Sequence, residues 1–263
     1  MDFVKTLSSD PRYTVLAALW ITLIYNFATS PTAVSFILPI LVIVAFGAIF
    51  ELMLWHFQKR PLAVPLSAIV TSTIISIVLT PSFATIHFSL AALAIALLSK
   101  HFIKIGFSHV FNPANFGALV ITAVNGMLQS WWATGNPLLS AALGIIVVWR
   151  INAWFITIPF LATTLLLNLA SMLFTGGGLN TALLIGSVTA GTVLFFSTIM
   201  LVEPMTTPTN NKSKAAFGII AALASFALSF LLPNFAYLGA LAVSNLLVTP
   251  LDSFFTPKPP ANV

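Results

Sequence analysis

Apolar residues run along this chain in long stretches parted by short polar breaks. The runs cover 13–29, 33–56, 62–80, 83–99, 112–130, 136–149, 151–174, 180–203, 214–232 and 234–250. Continuous runs of roughly 20 residues predict membrane-spanning helices, because that length crosses a hydrocarbon core of about 30 Å. A lipid-facing barrel would need short segments of alternating polarity, and the runs here do not alternate. The breaks carry residues that end helices, among them Ser30-Pro31, Arg60-Pro61, Pro81-Ser82, Gly135-Asn136-Pro137, Gly176-Gly177-Gly178 and Pro233-Asn234. The pattern predicts an all-α integral membrane protein of about ten transmembrane helices, with residues 1–263 forming a single membrane domain.

Composition strengthens that reading. Hydrophobic residues make up 59% of the chain and charged residues 6%, with a mean hydropathy of +1.06. A soluble domain carries about 25% charged residues and needs them to cover its surface. The absence of cysteine excludes disulfides, thiolate metal sites, cysteine-ligated iron–sulfur clusters and cysteine nucleophiles.

The net charge of +5 does not point to nucleic acid, because the basic residues follow the topology. Lys5 and Arg12 precede the first run. Lys59 and Arg60 fall between the second and third, Lys100 and Lys104 between the fourth and fifth, and Arg150 between the sixth and seventh. Lys212 and Lys214 separate the eighth from the ninth, and Lys258 follows the tenth. The alternate breaks carry none. The positive-inside rule then predicts a multi-pass protein of the plasma or inner membrane, with both termini cytoplasmic. The first run resembles a signal peptide in its flanking Lys5 and Arg12. Asp2 and Asp10 in the charged region, and the lack of an A-x-A cleavage site, favour a retained helix.

The two halves echo each other. Pro81 closes one apolar run and Pro204 another, 123 positions later (204 − 81), and Gly117-Ala118-Leu119 recurs as Gly239-Ala240-Leu241, 122 positions later (239 − 117). Five helices per half is an odd number, so the second half enters from the opposite face. The expectation is two inverted five-helix repeats, 1–130 and 131–263, with a binding site where interrupted helices meet near the midplane.

Two polar stretches interrupt apolar context. The first, 109–120, reads H-V-F-N-P-A-N-F-G-A-L-V. Asn112 suits a helix N-cap and Pro113 a first turn. Asn115 is not needed for capping, and asparagine amides also suit a neutral heteroaromatic ligand such as an isoalloxazine ring. The second, 203–210, reads E-P-M-T-T-P-T-N. Glu203 is either a functional acid at membrane depth or an interfacial partner of Lys212 or Lys214. Ser67 and Thr71 share one helix face, as backbone-bonded helix glue or as ligand contacts. Lys100 and His101 end a helix and set topology, or form a cytoplasmic edge for a phosphate or a redox partner. Trp131-Trp132 reads as an interfacial belt. No intramembrane acidic network stands out as an ion path.

The motifs together resemble the family that joins the B subunit of the sodium-translocating NADH:quinone oxidoreductase and the D subunit of the Rnf electron-transport complex. S-A-I-V-T (67–71) with Leu79-Thr80-Pro81 resembles that family's serine-rich third helix. S-K-H-F (99–102), F-N-P-A (111–114) and W-R-I (149–151) follow in the family's order. V-E-P-M-T-T-P-T (202–209), with Lys214 and F-G-I-I (217–220), is similar to its D-P-V-T-x-P signature, and A-V-S-N-L-L-V-T-P-L-D (242–252) to its last helix. The resemblance implies the urea-transporter-like inverted-repeat fold and a flavin held in the membrane within an ion-translocating electron-transport complex. The flavin-proximal positions it implies are Ser67, Thr71, Asn112, Pro113, Asn115, Glu203, Pro204 and Thr206. The family's S-G-A-T-type attachment motif is missing; the matching interval, 125–137, offers only Thr134 in the wrong context. The implied cofactor is therefore a non-covalent flavin, riboflavin or FMN. The implied partners are other subunits of a membrane redox complex, the lipid bilayer, and a soluble flavoprotein or iron–sulfur donor at the cytoplasmic loops. The competing reading is an inverted-repeat channel or transporter for a small neutral solute or for flavin itself.

Overall fold

The computed structural model describes residues 10–106, 108–126, 129–175 and 178–256. Lys5, Lys258, Gly176 and Gly177 lie outside them. Among the described residues the chain is all-α apart from one antiparallel pair of two-residue strands, and each apolar run holds a helix. The first half contains α1 (Pro11–Thr29), α2 (Ile37–Phe57), α3 (Leu66–Val78), α4 (Ile86–Phe102), the strands β1 (Lys104–Ile105) and β2 (Ser108–His109), and α5 (Pro113–Asn125). The second contains α6 (Pro137–Ile151), α7 (Trp154–Phe174), α8 (Thr181–Thr189), α9 (Gly191–Phe195), α10 (Asn211–Leu231), α11 (Ala236–Leu246) and α12 (Val248–Phe255). A π-helical turn, Phe196–Met200, continues α9. The eighth and tenth apolar runs are thus each split, at Ala190 and at Leu247.

Side chains start many of these helices. Asp10, Asn112, Asn136, Asn180 and Asn210 each accept an N–H from the first turn of the helix that follows, filling donors that the helix leaves open. Proline occupies the first position of α1, α5 and α6, where its missing N–H costs nothing. Gly126, at φ +63°, closes α5 in the left-handed region that favours glycine.

Length divides the helices into two sorts. Four spans, Pro31–Phe57, Trp154–Phe174, Thr181–Met200 and Asn211–Leu231, are long and apolar enough to cross a membrane; a fifth, Pro233–Phe255, qualifies if its 47° bend is counted within one span. By contrast α3 and α5 have 13 residues each and α11 has 11. At 1.5 Å per residue the longer of these reach about 20 Å, short of the hydrocarbon thickness.

The same partnerships recur in both halves. In the first, α1 packs on α3, α2 on α4, and α4 on α5; in the second, α6 packs on α9, α7 on α10, and α10 on α11. Across the halves α1 meets α6 and α5 meets α11. One hydrophobic core runs through both, from Leu19 and Leu23 through Ile75, Phe160 and Phe196 to Leu241. Small residues allow the closest approaches. Gly117 lies against the Ala92 carbonyl and Gly218 against the Ile156 carbonyl, while Gly239 faces the Leu228 side chain. The two G-A-L glycines therefore serve equivalent contacts, α5 on α4 and α11 on α10.

The tryptophans are used differently from the belt expected. Trp131 is buried, with its ring edge-on to Phe195 and Tyr237 at 6.3 and 6.1 Å. Trp132 donates its Nε1–H to the Ser76 carbonyl at 2.7 Å, at the end of α3. Both rings cover the last turn of a short helix and are thereby drawn into the protein.

A methyl at Gly117 would overlap the Ala92 carbonyl, which is backbone and cannot turn aside. Gly117→Ala is expected to destabilise the protein by about 1–3 kcal/mol through overpacking. Gly135→Ala, which meets nothing within 4 Å, should leave stability unchanged. Thermal or denaturant unfolding of both variants in detergent checks the pair.

Candidate functional site

The ends of the short helices converge. The Asn112 side chain caps α5 by accepting the Asn115 N–H at 3.0 Å, and its Nδ2 donates to the Met200 carbonyl at 3.0 Å. The Asn112 N–H donates to Asn245 Oδ1 at 3.1 Å, and Asn245 Nδ2 donates to the Thr206 carbonyl at 2.9 Å. Two asparagines thus tie together the start of α5, the π turn after α9, the C-terminal end of α11 and the 203–210 segment. Asn115 donates its Nδ2 to the Leu238 carbonyl at 2.9 Å, while its Oδ1 is buried without a partner. The amide of Asn112 is fully engaged in capping and bridging, and Asn115 joins α5 to α11.

Beside this junction lies a cavity of about 580 Å³, within the roughly 300–1,000 Å³ of small-molecule sites. Its wall includes Glu51, Trp55, Arg60, Ser67, Glu203 and Pro204. A smaller pocket, about 80 Å³, lies against it and shares Arg12, Ser67 and Glu203; it adds Thr71, Asn112 and Pro113. Six of the eight positions expected from the sequence therefore line these two spaces. The other two do not: Asn115 lies against α11, and Thr206, whose hydroxyl donates to Glu203 Oε2 at 3.3 Å, lines a separate cavity of about 490 Å³ with His109 and Pro204. The Thr71 hydroxyl donates to the Ser67 carbonyl at 2.9 Å, so it offers a ligand only lone pairs.

Charge is concentrated on the cavity. Arg12, Arg60, Lys100 and Lys104 line it, opposed by Asp10, Glu51 and Glu203. Arg12 donates to Asp10 from both Nε and Nη2 at 2.6–3.0 Å, and these bonds hold the Asp10 carboxyl below the usual carboxylate range. Glu203 takes His109 as its partner, at 3.2 Å from Nε2. This corrects the expectation of Lys212 or Lys214. Glu203 precedes the turn Pro204–Thr206 and faces the β-hairpin, whereas the two lysines sit on the first turn of α10 and, among the described residues, pair with no carboxylate. Arg60 and Lys104 likewise have no acidic partner among the described residues.

Sequence reasoning passed over Glu51. It sits in the last turns of α2 with its side chain 1% exposed, 2.6 Å from Lys100 Nζ and 3.0 Å from His101 Nε2. The His101 side chain is 2% exposed, and its Nδ1 faces Gln58 Nε2 at 3.1 Å. An amide nitrogen only donates. With its nitrogen toward the ring, Gln58 matches a His101 that accepts at Nδ1 and donates from Nε2 to Glu51; with its oxygen there it matches a ring that donates from both nitrogens. A single buried carboxylate with two basic partners stands within the span, which is not an acidic network. The signal was present: a lone acid inside a run of mean hydropathy 2.7 is costly unless it has a use. Its partners lie 49 and 50 positions away, beyond what spacing reveals.

No family model and no curated protein matches the chain. The functional reading therefore rests on the residues and their arrangement.

Glu51→Ala removes the carboxylate that neutralises Lys100, and loss of one partner from a buried pair costs roughly 3–5 kcal/mol. Asn112→Ala removes both a cap and a bridge, for an expected loss of about 2–3 kcal/mol. Denaturant unfolding in detergent should rank the two variants in that order, both below wild type.

Proposed function

We propose that the chain is a membrane-embedded electron-transfer subunit that binds a phosphorylated flavin, FMN, non-covalently in the basic cavity. One observation carries this reading. The positions singled out by the family resemblance, Ser67, Thr71, Asn112, Pro113, Glu203 and Pro204, line two adjoining spaces, the larger of which also holds Arg60 and Lys104, cations with no acidic partner among the described residues. A planar amphipathic anion suits that wall. Arg60 and Lys104 would hold the phosphate, and Trp55, Val64 and Leu66 offer an aromatic and apolar surface to the ring. A bound flavin supplies the capacity to accept and return electrons. The protein's own part is to orient the ring, balance its charge and shield it from water. Non-covalent attachment agrees with the surroundings of Thr134, whose hydroxyl is buried and donates to the Trp131 carbonyl at 2.8 Å.

The ten-helix, inverted-repeat architecture belongs to the same proposal. Its support is the recurrence of the packing partners in the two halves and the shortness of α3, α5, α9 and α11, several of whose ends are tied together at Asn112 and Asn245; inverted-repeat folds hold their ligand between interrupted helices. The positive-inside rule assigns the cavity to the cytoplasmic side, within reach of a soluble flavoprotein or iron–sulfur donor and of neighbouring subunits.

A transporter for a small neutral solute is the second reading, favoured by the meeting of helix ends rather than helix sides. Against it, the space between α1, α6 and the π turn is only about 10 Å³, on the order of a single water.

Protein purified from flavin-replete cells is expected to be yellow and to release FMN on denaturation. Arg60→Ala and Lys104→Ala should each weaken FMN rebinding at least several-fold while changing riboflavin binding little. Flavin-free protein that also fails to take up added FMN would sink the proposal. Solute uptake by proteoliposomes would favour the transporter.

A further inference from the structure

The cavity that would take the flavin phosphate also holds a buried proton acceptor. Glu51, Lys100 and His101 form a closed set: one carboxylate, one ammonium and an imidazole whose Nδ1 faces the Gln58 amide. The carboxylate and ammonium cancel, so the set is neutral whenever the imidazole is. Lys100, 15% exposed, stands on the cavity wall together with both acid and imidazole. The remaining charges facing the space are the pairs Asp10–Arg12 and His109–Glu203, and Arg60 and Lys104, which have no acidic partner among the described residues.

We infer that this cavity binds anions together with a proton, and that the proton is taken up at Glu51–His101. The inference deepens the proposed flavin site by stating what its phosphate end does, but it concerns the anion alone. A dianion drawn in by Arg60 and Lys104 arrives beside Lys100 and competes with Glu51 for the ammonium. The Glu51 carboxylate, almost fully buried, is then left without its cation, which is strongly unfavourable. A proton from the cavity water restores the balance. It can reside on His101, since the Gln58 amide can rotate to turn its oxygen toward Nδ1 and accept a second N–H. His101 then becomes an imidazolium beside Glu51, doing what Lys100 did before. Linkage makes the effect reciprocal: anion binding raises proton affinity, and lowering the pH tightens anion binding. The His109–Glu203 pair is less suited to the task, because its carboxylate is more exposed and already accepts the Thr206 hydroxyl.

Sulfate is the probe, because it stays a dianion across the working pH range and takes up no proton itself. The full chain in detergent and weak buffer receives potassium sulfate against potassium chloride at matched ionic strength, with an indicator dye following the proton. The expected result is uptake of about one proton per bound sulfate near neutral pH, with sulfate affinity rising up to tenfold per unit fall in pH. Glu51→Gln, which frees Lys100 from its competitor, should bind sulfate at least as tightly as wild type at high pH and abolish both the uptake and the pH dependence. Arg60→Ala with Lys104→Ala should weaken sulfate at every pH. Sulfate binding without proton uptake in the wild type would overturn the inference, as would no sulfate binding at all, or uptake that survives in Glu51→Gln. Flavin content is measured separately, so a protein without flavin can still pass this test, and a flavoprotein can fail it.

Discussion

A helix that ends inside an apolar medium leaves amides and carbonyls with no water to satisfy them. Much of this structure follows from that constraint. Because α3, α5 and α11 are too short to reach both surfaces, their ends must find partners within the protein. Asn112 caps α5 and also bonds the Met200 carbonyl at the end of the π turn, and Asn245 of α11 extends the tie to the 203–210 segment. At the other end of the fold the α3 terminus is covered by Ser130, Trp131 and Trp132, whose donors reach the Val78 and Ser76 carbonyls. The polar residues that stood out in the sequence are thus first of all solutions to a backbone problem.

The same constraint makes the cavity. Where short helices stop, side chains rather than helix sides form the wall, and space remains that a continuous bundle would fill. The residues there are polar because helix ends require them. Their neighbours Arg60, Lys104, Lys100 and Glu51 are charged because this end of the fold carries the basic breaks. Capping and ligand binding are therefore not competing accounts of 109–120. Capping occupies the Asn112 amide, and in doing so it fixes the place at which Ser67, Thr71 and Glu203 face a common space.

Several parts of this were legible beforehand. Every apolar run holds a helix, and the breaks at Ser30-Pro31, Arg60-Pro61 and Asn136-Pro137 separate helices as proline and glycine chemistry requires. Six of the eight site positions line the two adjoining spaces. Glu51 stands out as one acid among some twenty apolar residues, but its partners Lys100 and His101, 49 and 50 positions away, were not legible. The partner of Glu203 was misread for a related reason: nearness in sequence suggested a lysine, while the hairpin brought His109, 94 positions away.

By itself, the sequence determined class and periodicity. Local rules, apolar run length, proline, caps and charge alternation, need no knowledge of what packs against what. The tertiary structure alone decided which helices are too short to span, which polar groups are consumed by bonding, and that Glu51 meets Lys100 and His101. Those outcomes depend on contacts between residues tens to more than a hundred positions apart. In a medium without water, such contacts settle whether a polar side chain is free to bind a ligand or already committed to the backbone.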